Sequence, residues 1–184
     1  AFDAIIDEYF HVLRKHYPSC KFCPTAHLIK IIYSFENNVK LPTWIFGPKK
    51  SPPKTIRPSD GAWNFKLAFY PYQQGNHWTL IVVNFDERTI TRYNSLNKKS
   101  PVGNKILHAL TRALTDLENE NKETQKKRGK IQWTDAPKST PQQQNHIDCG
   151  FFTMEIARIL AQEVSNSAKP DLDEALRLAF AGPT

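Results

Sequence analysis

The run WTLIVVNF, Trp78 to Phe85, decides the fold. It is almost continuously apolar and rich in β-branched side chains, which marks a central strand buried on both faces. Reading outward, Trp63 to Tyr72 alternates well enough to be a neighbouring strand. Asp86-Glu87-Arg88 makes a tight connection to a third strand, Thr89 to Tyr93, and Ile131 to Thr134 reads as a short fourth. Helices flank this cluster. Phe2, Ile5, Ile6, Tyr9, Phe10 and Leu13 recur three and four apart, and that helix should end before Pro18. Leu28 to Phe35 reads as a short helix. Leu107, Leu110, Leu114 and Leu117 mark one face of a long helix from roughly Val102 to Asn121. The stretch GFFTMEIARILAQEV, from Gly150, has the spacing of a buried helix, and Pro170 to Phe180 reads as a final short one. The class expected from this order is α+β.

The chain has 184 residues, room for one domain with a well-buried core. With 40% apolar and 23% charged residues it reads as a globular protein, and no run of about 18 apolar residues indicates a membrane span. Three cysteines are too few for a disulfide scaffold of this size, which favours a reducing compartment and free thiols. The net charge of +7 favours an acidic partner without choosing among nucleic acid, anionic lipid and protein. Residues 48–61 (PKKSPPKTIRPSDG) read as an exposed loop. Lys122 to Lys130 reads as a solvated basic loop, with a weak nuclear-import or nucleic-acid patch as the alternative.

Asp148-Cys149-Gly150, at the start of a helix, is the strongest chemical signal. A thiol with an ordinary pKa of about 8.5 is mostly protonated at neutral pH and so is a poor nucleophile. A helix N-terminus supplies partial positive charge and free N–H groups that favour the thiolate. Gly150 would let a substrate approach the backbone closely. The bland alternative is a buried Cys serving as a small hydrophobe. His77 sits just before the central strand, after the turn-like segment QQGN, where a rigid scaffold meets a loop. It is the base best placed to activate a thiol.

The segments NHWTLIVVNF, RYNSLN and PQQQNHIDCGFF, in this order, resemble the ubiquitin-like-protein peptidases of the Ulp/SENP type. Adenovirus-type proteases and several bacterial effector deubiquitinases share that catalytic order. The resemblance runs from about Trp63 to Leu160 and is weaker in the first helix. It implies a papain-like or adenain-like α+β fold, with a central mixed sheet flanked by helices. Residues 1–184 are then a single cysteine peptidase domain, a catalytic piece of a longer protein. The resemblance makes Cys149 the nucleophile, His77 the general base and Gln143, six positions before the cysteine, the side-chain donor of an oxyanion hole. Gln142 and Gln144 are then solvated neighbours. Trp78 matches a tryptophan that lines the channel for the substrate's Gly-Gly tail, with a plain core aromatic as the alternative.

Two positions depart from the family pattern. The family's Tyr-Asp-Ser-Leu reads Tyr93-Asn94-Ser95-Leu96 here, so the third catalytic position keeps its place and loses its charge. In a serine triad that exchange costs about 10⁴ in rate, because the amide permits the wrong tautomer, yet papain-like enzymes use Cys-His-Asn. An active natural variant is the reading this precedent favours, over an attenuated homologue or an engineered substitution. Asp86 and Glu87 are stand-ins expected at the wrong end of the strand. The family's channel-covering Trp would fall just before residue 1.

The expected function is cleavage after the C-terminal Gly-Gly of a ubiquitin-like modifier, for precursor processing, deconjugation or both. SUMO is the first expectation, with ubiquitin and NEDD8 open. The expected partners are the modifier and its conjugates, with no cofactor, no membrane and no nucleic acid, the chain acting as a monomer. Its place is intracellular, in nucleus or cytoplasm, or in a host cell for a bacterial effector. The alternatives are an acyltransferase with the same Cys-His site and a catalytically weak modifier-binding module. His16, Cys20, Cys23 and His27 have the spacing of four zinc ligands, but two prolines beside them point to an irregular free-thiol loop, and no metal is expected.

Overall fold

The structure, a computed structural model, describes residues 2–39, 65–96, 101–119, 134–135, 140–145 and 147–181. In chain order its elements are α1 (Phe2–His16), β1 (Cys20–Phe22), α2 (Thr25–Glu36), β2 (Leu67–Gln74), β3 (His77–Asn84), β4 (Thr89–Tyr93), α3 (Pro101–Asn119), β5 (Thr134–Asp135), α4 (Cys149–Asn166) and α5 (Leu172–Phe180). The strands form one sheet in sequence order. β2, β3 and β4 are antiparallel, while β1 joins β2 and β5 joins β4 in parallel, so the sheet is mixed as expected.

β3 lies in the middle, and its composition follows from having two covers. Side chains alternate across a strand. Trp78, Leu80 and Val82 enter one core with Ile6, Phe10 and Leu13 of α1 and Ala157, Leu160 and Ala161 of α4. Ile81 and Val83 enter the other, with Leu28 and Ile31 of α2 and Ile106, Leu110 and Leu114 of α3. Leu80, Ile81 and Val83 are wholly buried. With neither face wet, no polar alternation is selected.

The element boundaries moved in places. β2 begins at Leu67 and runs through Gln73 and Gln74, two exposed residues that the sequence reading gave to the turn. The hairpin reaches past the edge of the core, so its end is a polar strand that apolar alternation does not reveal. Trp63, the loop 48–61, the basic stretch 122–130 and residues 131–133 lie outside the described residues. Among the described residues, no helix is long and apolar enough to cross a membrane.

The four-ligand spacing does not converge. Cys20 opens the three-residue strand β1 and Cys23 follows its end, and their odd offset sends the thiols to opposite cores. His16 ends α1 exposed, whereas His27 is half-buried on α2. The expected irregular loop is in fact a strand, and both thiols are structural. Burial pushes each of them up to about 11.

Candidate active site

A tight hairpin places the imidazole. β2 and β3 are joined by Gly75-Asn76, with Gly75 at φ +60, a backbone region that favours glycine. His77 therefore opens β3 directly opposite Gln74. β4 runs antiparallel to β3 and ends at Tyr93, opposite Leu80, so the chain leaving β4 passes the start of β3. Asn94 is the first residue beyond it, and its Oδ1 lies 2.8 Å from His77 Nε2.

The orientation of that amide is determined by its surroundings. The backbone N–H of Leu96, which can only donate, reaches the same Oδ1 at 3.0 Å. An amide nitrogen could not accept that bond, so the oxygen faces both groups. His77 Nε2 consequently carries the proton and donates it to Asn94. The other ring nitrogen, Nδ1, is buried and has no hydrogen-bond partner among the described residues. The ring is thus held as the tautomer with Nδ1 open to take a proton. The Asn94 oxygen fixes the orientation of the ring, and the backbone N–H of Leu96 prevents the amide from turning over.

Cys149 begins α4 and is 4% exposed. Its Sγ lies 3.9 Å from the carbonyl oxygen of Asn76, the residue before His77, so the thiol sits beside the strand start that carries the imidazole. Asp148, at the N-cap, makes no side-chain capping bond. Its carboxylate instead accepts from Asn145 Nδ2 at 2.5 Å. The Asp148 side chain therefore does not close off the N–H groups of the first helical turn.

Gln143 reaches the same cluster from the loop before α4. Its backbone N–H donates to Ser95 O at 3.0 Å, and the residue is 9% exposed. Its Nε2 donates to Asn145 O at 2.5 Å, and Ser95 Oγ donates to its Oε1 at 2.5 Å. Asn145 Oδ1 in turn accepts from the N–H groups of Ile147 and Asp148, at 3.0 Å each. A ring of contacts therefore closes from Cys149 through Asn76-His77, Asn94-Ser95, Gln143 and Asn145 back to Asp148.

The structure thus gathers four of the five residues singled out in the sequence, His77, Asn94, Gln143 and Cys149, into one hydrogen-bonded assembly. The fifth, Trp78, is 5% exposed in the same core cluster as Cys149, Phe10 and Tyr93. Asp86 and Glu87 are exposed at the β3–β4 turn, the far end of β3 from His77. Gln142 is exposed as expected but is not merely solvated, because its amide donates to Asn94 O and Thr140 O at 3.2 and 2.6 Å. Sequence reasoning passed over Ser95 and Asn145. Both lie inside quoted motifs, but nothing in the spacing says which residues meet across the loop.

Gly150 also has a different neighbour from the one expected. A β-carbon there would overlap the Phe2 ring, with Cδ1 at 2.6 Å, Cζ at 2.8 Å and Cε1 closer still. Phe2 also meets Phe151 edge-on, with ring centroids 5.6 Å apart. The space left by the missing side chain is filled by α1 itself.

Comparison with known proteins bears on the family and the fold. A family model described as Ulp1 protease family, C-terminal catalytic domain, matches residues 6–178. The chain is 36% identical over 89 residues to the ubiquitin-like-specific protease ESD4 of Arabidopsis thaliana, covering 48% of this chain and 17% of that protein. It is 27% identical over 101 residues to sentrin-specific protease 2 of Mus musculus, covering 53% of this chain and 16% of that protein. The chain therefore spans about a sixth of the length of these relatives. Among solved structures, the C-terminal Ulp1 protease domain in complex with Smt3, the yeast ortholog of SUMO, superposes with a TM-score of 0.59 at 19% identity, covering 96% of this chain and 71% of that one. The Xanthomonas campestris effector XopD bound to ubiquitin gives 0.56 at 16% identity, covering 96% and 89%. At these identities the structural likeness speaks for the fold.

Proposed function

This chain belongs to the cysteine peptidases of the Ulp1 family, and from that premise we propose that it cleaves the bond after the C-terminal Gly-Gly of a ubiquitin-like modifier, in precursors, in isopeptide conjugates or in both. SUMO is the first expectation, since relatives of this chain are named as ubiquitin-like-specific and sentrin-specific proteases. Ubiquitin and NEDD8 are the competing modifiers.

In this mechanism His77 Nδ1 takes the proton of the Cys149 thiol, and the thiolate attacks the glycine carbonyl carbon. The carbonyl π pair moves onto oxygen, where Gln143 Nε2–H and the backbone N–H of Cys149 receive it. Collapse re-forms the carbonyl and expels the amine, which takes the proton from His77, leaving a thioester on Cys149. Water then gives a proton to His77 and attacks the thioester, the thiolate departs, and the modifier leaves with a free carboxylate. Asn94 accepts from Nε2 throughout. The positively charged ring keeps a proton on each nitrogen, so a neutral amide oxygen suffices as its partner.

The observation that carries this reading is the His77 Nε2–Asn94 Oδ1 bond at 2.8 Å, which leaves Nδ1 open in a site that also holds the thiol. The test is turnover of SUMO, ubiquitin and NEDD8 conjugated to aminomethylcoumarin, by the wild-type chain and by Cys149→Ala. The expected result is turnover of at least one conjugate, abolished in the variant. Undiminished turnover by Cys149→Ala would overturn the assignment.

A further inference from the structure

The dipeptide Asn94-Ser95 follows β4 and carries two adjacent side chains with separate targets. Asn94 reaches the imidazole. Ser95, 3% exposed, reaches the Gln143 amide. The backbone of the same dipeptide is tied to the loop 140–145: Asn94 N–H donates to Thr140 Oγ1 at 3.1 Å, Gln142 Nε2 donates to Asn94 O, and Gln143 N–H donates to Ser95 O.

An amide donor serves an oxyanion only when its nitrogen, and not its oxygen, faces the reacting carbonyl. A terminal amide exchanges the two by a half-turn of its last torsion, so something has to select the orientation. Here two groups do. The carbonyl of Asn145 can only accept, which calls the amide nitrogen to its side. The Ser95 hydroxyl occupies the opposite side and donates to Oε1. With one N–H spent on Asn145, the second N–H of Gln143 has no partner among the described residues.

We propose that Ser95 is a positioning residue of the oxyanion hole, acting through Gln143. Its hydroxyl anchors Oε1 and so holds the remaining N–H toward the carbonyl that Cys149 attacks. Without that anchor the amide is held on one side only. Its oxygen can then swing toward the developing negative charge, where it repels instead of donating. One dipeptide thereby sets both the tautomer of the base and the orientation of the oxyanion donor. The inference rests on the reading of Gln143 given above.

The test compares Ser95→Ala, Gln143→Ala and the double variant on SUMO–aminomethylcoumarin, or on the ubiquitin conjugate if the modifier panel favours that. Gln143→Ala should lose about 10²–10³ in kcat, as for one oxyanion donor, and Ser95→Ala a part of that, about 10–100-fold, with little change in KM. The double variant should be no slower than Gln143→Ala, since a residue acting through Gln143 has nothing left to position. Alkylation of Cys149 by iodoacetamide, which forms no oxyanion, should stay within about twofold of wild type in Ser95→Ala. Ser95→Thr, which keeps the hydroxyl, should recover most of the rate. Overturning results are an unchanged kcat in Ser95→Ala, additive losses in the double variant, a matching fall in alkylation, or a Ser95→Thr no faster than Ser95→Ala. A Gln143→Ala chain as fast as wild type unseats the oxyanion role of Gln143 itself, and the inference falls with it.

Discussion

Replacing Asn94 tests whether its oxygen, and not its charge or its bulk, steadies the base. In Asn94→Ala the His77 Nε2–H loses the acceptor now 2.8 Å away, and the Leu96 N–H loses the same partner. Once the ring is charged, that bond joins a cation to an amide oxygen, worth about 1.5–3 kcal/mol. At about 1.4 kcal/mol per factor of ten, the expected loss is about 10–150-fold in the acylation rate. The site is half-exposed, so the lower part of that range applies. Asn94→Asp keeps an oxygen for both donors and adds a charge. At about 4 Å and an effective dielectric near 20, the added attraction is about 4 kcal/mol before desolvation is subtracted. Asn94→Asp should therefore acylate at least as fast as wild type. The assay is the single-turnover burst of aminomethylcoumarin release by the three proteins at one pH. An Asn94→Ala burst within about threefold of wild type would mean that something else holds the ring. An Asn94→Asp burst as slow as Asn94→Ala would mean that the amide nitrogen is the working group, which a carboxylate cannot mimic.

Gly150→Ala puts a methyl into the Phe2 ring and should destabilise the fold by about 1–3 kcal/mol, measured by urea unfolding. Phe2→Ala in the same chain should recover most of that loss, and purely additive effects would refute the contact. Cys20 and Cys23 should react slowly with iodoacetamide in the native state, because burial holds both thiols near 11, while denaturant should expose all three cysteines to labelling. Rapid native labelling at Cys20 or Cys23, read by peptide mapping, would contradict the packing. Burial, and then the charges of Lys21, Lys30 and Arg14, lower the His27 imidazole to about 4 against a small opposing pull from Asp7. The unfolded chain protonates this group below about 6.5, so between there and about 4 it binds more protons than the native state. Stability from this group is complete above that window and declines as the pH falls through it. His27→Gln should flatten the decline in melting temperature over that range, and an unaltered decline would assign it to other groups.

The sequence carried most of the frame because local chemistry specifies it. A strand with two buried faces has no choice but to be apolar, which is why Trp78 to Phe85 located β3 to within a residue. The helical periods of α1 and α3 were equally plain. His77, Asn94, Gln143 and Cys149 were legible through the order of their motifs. What escaped notice depends on contacts between distant segments. β1 is three residues long, too short to show a period, so the opposite directions of Cys20 and Cys23 could not be read and the stretch was taken for an irregular free-thiol loop. Gly150 was assigned to substrate approach because the sequence cannot show that Phe2, far away along the chain, fills its missing side chain. Ser95 and Asn145 went unassigned for the same reason: their partners lie across a loop.

The most direct measurement is intact-mass and peptide-mapping analysis of the chain after incubation with SUMO, ubiquitin and NEDD8 bearing a thiol-reactive C-terminal propargyl amide. A covalent adduct of one modifier at Cys149, lost in His77→Ala, is the predicted outcome. A chain that stays unmodified by all three, or that carries the adduct on Cys20 or Cys23, would contradict the account.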